Sequence, residues 1–73
     1  MKMSEKIPDF VIERENETIS VITPNGEEAW TWLRNHKSPN GWWVFRRLTM
    51  PHDEAQQIAD AALAEAFTVE RRA

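Results

Sequence analysis

Apolar and polar positions divide the chain into two short β-like runs, a helical stretch, a third β-like run and a second helical stretch. Asp9 to Arg14 gathers Phe10, Val11 and Ile12, and Thr18 to Thr23 alternates through Ile19 and Val21. The polar break Glu15-Asn16-Glu17 between them predicts a β-hairpin, with Asn16 suited to a left-handed turn position. A helix follows. Thr23 can cap it with Pro24 at the first helical position, or Asn25 can cap it with Glu28 three residues on. Ala29, Trp30 and Leu33 then share one face, while Trp32 lies about 100° away, on a flank. Ser38-Pro39-Asn40-Gly41 is a strong turn, so the helix should end near His36.

Trp42 to Leu48 reads as a third strand. Trp42, Val44, Arg46 and Leu48 lie on one face, Trp43, Phe45 and Arg47 on the other. Alternation fails at its first four residues, which are apolar on both sides, so both sides call for cover there. Thr49 is then a candidate cap, with Pro51 in the first turn of a second helix running to about Phe67. Its apolar stripe is centred on alanine. Phe67 to Glu70 either adds a short C-terminal strand or packs back.

This order is β-β-α-β-α. It predicts an α+β domain with a three-stranded, mostly antiparallel sheet, order 2-1-3, and two helices on one face. Residues 1–8 read as a flexible tail, 9–70 as the single domain and 71–73 as a loose C-terminus. The expected core is Phe10, Ile12, Ile19, Val21, Ala29, Trp30, Leu33, Val44, Ile58, Ala59, Ala62, Leu63 and Phe67.

Size sharpens this picture. A chain of 73 residues buries only about 60% of the surface its unfolded form exposes. There is no cysteine, which removes disulfides and the usual structural zinc sites as added support. An aromatic-rich core or oligomerisation is left. Four tryptophans, Trp30, Trp32, Trp42 and Trp43, fall within one short stretch, more indole than a core of this size readily hides. Residues 1–8 have no apolar signal region, and no apolar run reaches the ~20 residues of a membrane helix, so a soluble cytoplasmic protein is expected.

The net charge of −3 is unevenly spread. Residues 1–28 and 53–73 are acidic, whereas 29–52 carry Arg34, Lys37, Arg46 and Arg47 and no acid. Nothing in the chain reads as catalytic. Ser4, Ser20 and Ser38 sit in a tail, a strand and a turn, outside any nucleophile motif. His36 and His52 have no metal-ligand spacing, so no metal, cofactor or small-molecule substrate is expected. His36 reads as a helix C-terminal cation and His52 as a first-turn surface residue.

The aromatic, basic block is the candidate surface. Tryptophan and arginine are typical anchors of protein contacts. Trp32, Trp42, Trp43, Phe45, Arg46 and Arg47 are therefore the expected partner-contact residues of a non-catalytic interaction domain. The partner is a second copy or another protein, not a membrane. If Val44 faces inward, Trp43 and Phe45 lead the surface; if those two face inward, Trp42 and Val44 do. The alternative is single-stranded nucleic acid, stacked on the rings of segment 29–52 with its phosphates on the bases. The acidic remainder of the chain opposes this at long range.

Overall fold

The structure is a computed structural model that describes residues 7–36 and 39–72. The elements are β1 (Phe10–Arg14), β2 (Ile19–Pro24), α1 (Glu27–Arg34), β3 (Trp42–Val44), β4 (Arg47–Pro51), α2 (His52–Ala64) and β5 (Val69–Arg72). They form one five-stranded mixed sheet in the order β3-β4-β2-β1-β5. All neighbours are antiparallel except β1 and β5, which run parallel.

The class is α+β as expected, but the three-stranded sheet of order 2-1-3 is wrong. The run 42–48 is not one strand. It turns back at Phe45 and Arg46, neither of them a usual turn residue, and so makes the β3–β4 hairpin. Thr49, the expected cap, continues β4 with Met50, and Pro51 is both the last residue of β4 and the N-cap position of α2, with no side-chain cap bond. Proline suits the strand's last position, because α2 begins at the next residue and has no use for its missing N–H. The other side of β1 is taken by β5, so the hairpin joins the sheet beside β2. Arg71 and Arg72 belong to β5, past the expected domain end at 70. The tail residues 1–6 lie outside the described part.

The first hairpin forms where expected. The Asn16 side-chain oxygen accepts from the backbone N–H groups of Thr18 and Ile19, both at 2.9 Å, and so closes the turn. α1 starts later than either predicted cap, with Gly26 at a φ of 96° before it and no side-chain cap. Asn25 instead donates from its side chain to the Pro8 carbonyl at 2.8 Å.

The helices share one face of the sheet. Phe10, Ile12, Ile22, Leu48 and Met50 meet Ala29 and Leu33 of α1 and Ala55, Ile58, Ala59 and Ala62 of α2 in one cluster. Small side chains at 55, 59 and 62 let α2 lie close to the strands. Parity in β2 differs from the expected core. Ile22 pairs with Ile12 and Leu48 on the helix side, so Val21 and Ile19 point to the opposite face. Val44 also points there and is exposed, as is Leu63 on α2. Val21 is nonetheless buried as expected, whereas Ile22, Leu48, Met50 and Ala55 fill the helix-side core without Ile19, Val44 or Leu63. No helix among the described residues is long and apolar enough to cross a membrane.

α2 ends before Phe67 because Ala66 turns left-handed, with φ at 71°. The Phe67 N–H then donates to the Ala62 carbonyl and the Ala66 N–H to that of Leu63, both at 3.0 Å. This is the Schellman arrangement, which normally places glycine at that position. Thr68 follows and locks onto β1. Its N–H donates to Asp9 Oδ2 at 2.9 Å, and the Asp9 N–H donates to Thr68 Oγ1 at 2.8 Å. Ala66→Gly should raise stability by about 1 kcal/mol, measured as a higher urea midpoint at unchanged slope.

Candidate interaction surface

Both faces of the β3–β4 hairpin follow from its register. Trp42 lies opposite Thr49 and Val44 opposite Arg47, while Trp43 lies opposite Leu48. Leu48 faces the helices through its pairing with Ile22. Trp43 therefore shares the helix side, and Trp42, Val44 and Arg47 share the other. No helix among the described residues lies on that other side. It carries a groove of about 360 Å³ lined by Ile19, Val21, Trp42, Val44, Arg47 and Thr49, with Glu15 and Asn16 at its margin. Every residue from Trp42 to Arg47 is exposed.

The six expected contact residues separate into three groups. Trp32 is far from the hairpin's open side and half-buried. It packs on Phe10 and Phe67 at ring distances of 5.5 and 5.4 Å, and stacks on His36 at 3.7 Å. The His36 Nδ1 lies 2.9 Å from the Trp32 carbonyl, so the ring closes the end of α1. Trp32 is thus tied into the edge of the core.

Trp43 and Arg46 are engaged within the chain, both through Trp30. The Trp43 and Trp30 rings meet edge to face at 5.1 Å and 78°. The Arg46 guanidinium stands 4.5 Å over the Trp30 ring and 3.8 Å from the Glu27 carboxylate. Arg34 approaches the same ring at 5.7 Å. This group fastens the hairpin to α1. Its ion pair is well exposed and contributes little in water, so ring packing and the cation over the ring carry the attachment.

Trp42, Phe45 and Arg47 form the third group. Among the described residues they make no ring contact, ion pair or side-chain hydrogen bond. Val44, expected in the core, joins them. Phe45 is the extreme case. It is 91% exposed at the tip of the hairpin, and its φ is 57°. This is the first central position of a two-residue turn, where glycine is the usual residue. An L-side chain there costs roughly 1–2 kcal/mol, and no burial within the chain offsets it.

The histidine expected at the surface, His52, is half-buried and joins β2 to α2. Its Nδ1 is 2.6 Å from Ser20 Oγ and its Nε2 is 3.1 Å from the Asn16 carbonyl. No group of three or more metal-ligating side chains occurs among the described residues. Comparison with protein-family models, curated proteins and solved structures finds no match to this chain.

Arg46→Ala should cost about 0.5–1 kcal/mol of stability. Trp30→Ala should cost more, and should release the Trp43 ring, seen as a red shift of tryptophan emission in the folded protein.

Proposed function

We propose that the protein is a small non-catalytic interaction module that pairs with a second copy of itself through β3 and the uncovered side of its sheet. The observation that carries this reading is the exposed set Trp42, Val44 and Phe45 on a hairpin at the sheet edge. The two edges are unlike. β5 bears Glu70, Arg71 and Arg72, the charged kind of edge that discourages pairing. β3 is Trp-Trp-Val, with no charge.

Self-pairing suits the local geometry. In a two-residue hairpin the flanking residues, here Val44 and Arg47, exchange both backbone hydrogen bonds. The next pair, Trp43 and Leu48, does not, so the Trp43 N–H and C=O point off the sheet. An antiparallel β3–β3 pairing centred on Trp43 sets Trp42 of one copy opposite Val44 of the other, twice by symmetry. Aromatic with β-branched is a favourable cross-strand pair, about 0.2–1 kcal/mol each. The same register brings Phe45 beside Gly41 of the second copy, where a missing side chain leaves room for its ring. Three-residue strands bury little surface, so the association is weak and concentration-dependent.

Single-stranded nucleic acid has less support. Arg34 and Arg46 sit on Trp30, Lys37 lies outside the described residues, and Arg47 is left as the one base of the segment beside Trp42 in the groove.

Sedimentation equilibrium should show a reversible monomer–dimer equilibrium. Val44→Lys should shift it to monomer by roughly tenfold or more in Kd. Phe45→Gly should weaken the dimer while raising the melting temperature of the monomer, because it removes the left-handed strain. A wild-type chain that stays monomeric to its solubility limit, or a Phe45→Gly variant that dimerises as well as the parent, overturns the proposal.

A further inference from the structure

A second cavity, of about 430 Å³, opens at the other end of the sheet on the helix side, between β1, β2, β5 and the first turns of α2. Arg14, Arg71 and Arg72 all line it. Arg72 borders it from the opposite face of the sheet, beside Glu13 in register, so Arg14 and Arg71 are its two helix-side cations, and no carboxylate lines the cavity with them. We infer that this cavity binds a phosphate group.

Charge placement supports an anion. Arg72 is already held, its Nε 2.7 Å from the Glu70 carboxylate. That hydrogen bond, with the charges of Glu70 and Glu13, raises its pKa above the ordinary arginine value. Glu13 and Glu70 lie with Arg72 on the opposite face of the sheet, since Val11 pairs with Glu70, and Glu13 with Arg72. Arg71 donates to a neutral acceptor, Gln56 Oε1, at 2.5 Å. Gln56 in turn donates to Asp60 at 2.8 Å, which keeps its oxygen turned toward Arg71. Arg14 has no ion-pair partner among the described residues. Two guanidinium groups thus face the cavity with their charge unopposed by a contacting acid.

The floor is polar and fixed. Ser20 is buried and bonded to His52, and His52 is oriented by the Asn16 carbonyl. Both groups are satisfied by one another, so they shape the site and leave the charge to the arginines. Two forked guanidinium groups exceed what one carboxylate needs. They match a phosphate, which offers three terminal oxygens and close to two negative charges at neutral pH. The volume exceeds that of a bare ion and lies within the range of small-molecule sites. Either free phosphate or a small phosphomonoester supplies the recognised group.

The test is titration of the ¹⁵N-labelled full chain, followed by amide shifts, with inorganic phosphate, with glycerol phosphate, and with sodium chloride at matched ionic strength. Saturable shifts at Arg14, Ser20, Gln56 and Arg71 with either phosphate are expected. Equal affinity for both assigns the site to the phosphate group alone; tighter binding of the ester assigns it to a phosphomonoester. Arg14→Gln and Arg71→Gln should each weaken binding by roughly tenfold or more, and Arg34→Gln, on α1, should leave it unchanged. Shifts reproduced by chloride, or parental affinity in both Arg14→Gln and Arg71→Gln, would overturn the inference. Unchanged amide spectra of the variants away from the cavity establish that each remains folded.

Discussion

Two helices of eight and thirteen residues can cover one face of a five-stranded sheet and no more. Most of the structure follows from that shortage of cover. The covered face takes the large side chains of the central strands, Ile12, Ile22, Leu48 and Met50, and the helices meet them with alanines and Leu33. Phe10 carries the aromatic end of this core, with Trp32 and Phe67 packed against its ring. Burial of such apolar surface is the main stabilising term for the domain, and the missing second layer leaves little in reserve.

The uncovered face is built differently across its width. Over β1 and β2 it is made of small branched residues, Val11 and Val21, which are nearly inaccessible even without a helix above them. Toward β3 it widens into Trp42 and Val44, which are not. The two edges repeat the asymmetry. β5 is a charged edge held at its start by the reciprocal Asp9–Thr68 bonds, and β3 is an apolar edge held through Trp30. Arg14 and Arg71 gather at the helix-side end of the first edge, and aromatic side chains at the second. One short chain thus separates a charged corner from an apolar one.

What the sequence reveals depends on how local the cause is. The first hairpin is legible because its turn is made by Asn16 and its strands adjoin. α2 is legible because its alanine stripe recurs at helical spacing. The second hairpin is hidden, since Phe45-Arg46 contains no glycine, asparagine or proline. Thr49-Met50-Pro51 also imitates a helix start while serving as strand. Parity at Val21-Ile22 is undecidable from two adjacent apolar residues, and tertiary pairing with Ile12 and Leu48 settles it. Distant convergences leave no local trace at all. Ser20 meets His52 across thirty-two positions, and Arg14 meets Arg71 only because β5 lies beside β1. Of the six expected contact residues, Trp32, Trp43 and Arg46 are used within the chain, which no local feature of the sequence reveals.

Among the described residues two non-glycine positions are left-handed, and they show how strain is to be read. Ala66 and Phe45 have similar φ values, 71° and 57°, and neither has the residue type its position favours. Ala66 is accounted for inside the chain: its conformation closes α2 with two hydrogen bonds and delivers Phe67 to the core. A small side chain also keeps the cost low. Phe45 has no such return, since it is 91% exposed and its ring makes no contact with another ring among the described residues. A glycine would make the same turn at lower energy, so the phenyl group is not explained by folding. Local rules broken without a compensating contact in the fold are where function is to be sought. By that criterion the tip of the β3–β4 hairpin, with Phe45 exposed and left-handed, is the part of the fold that folding alone explains least.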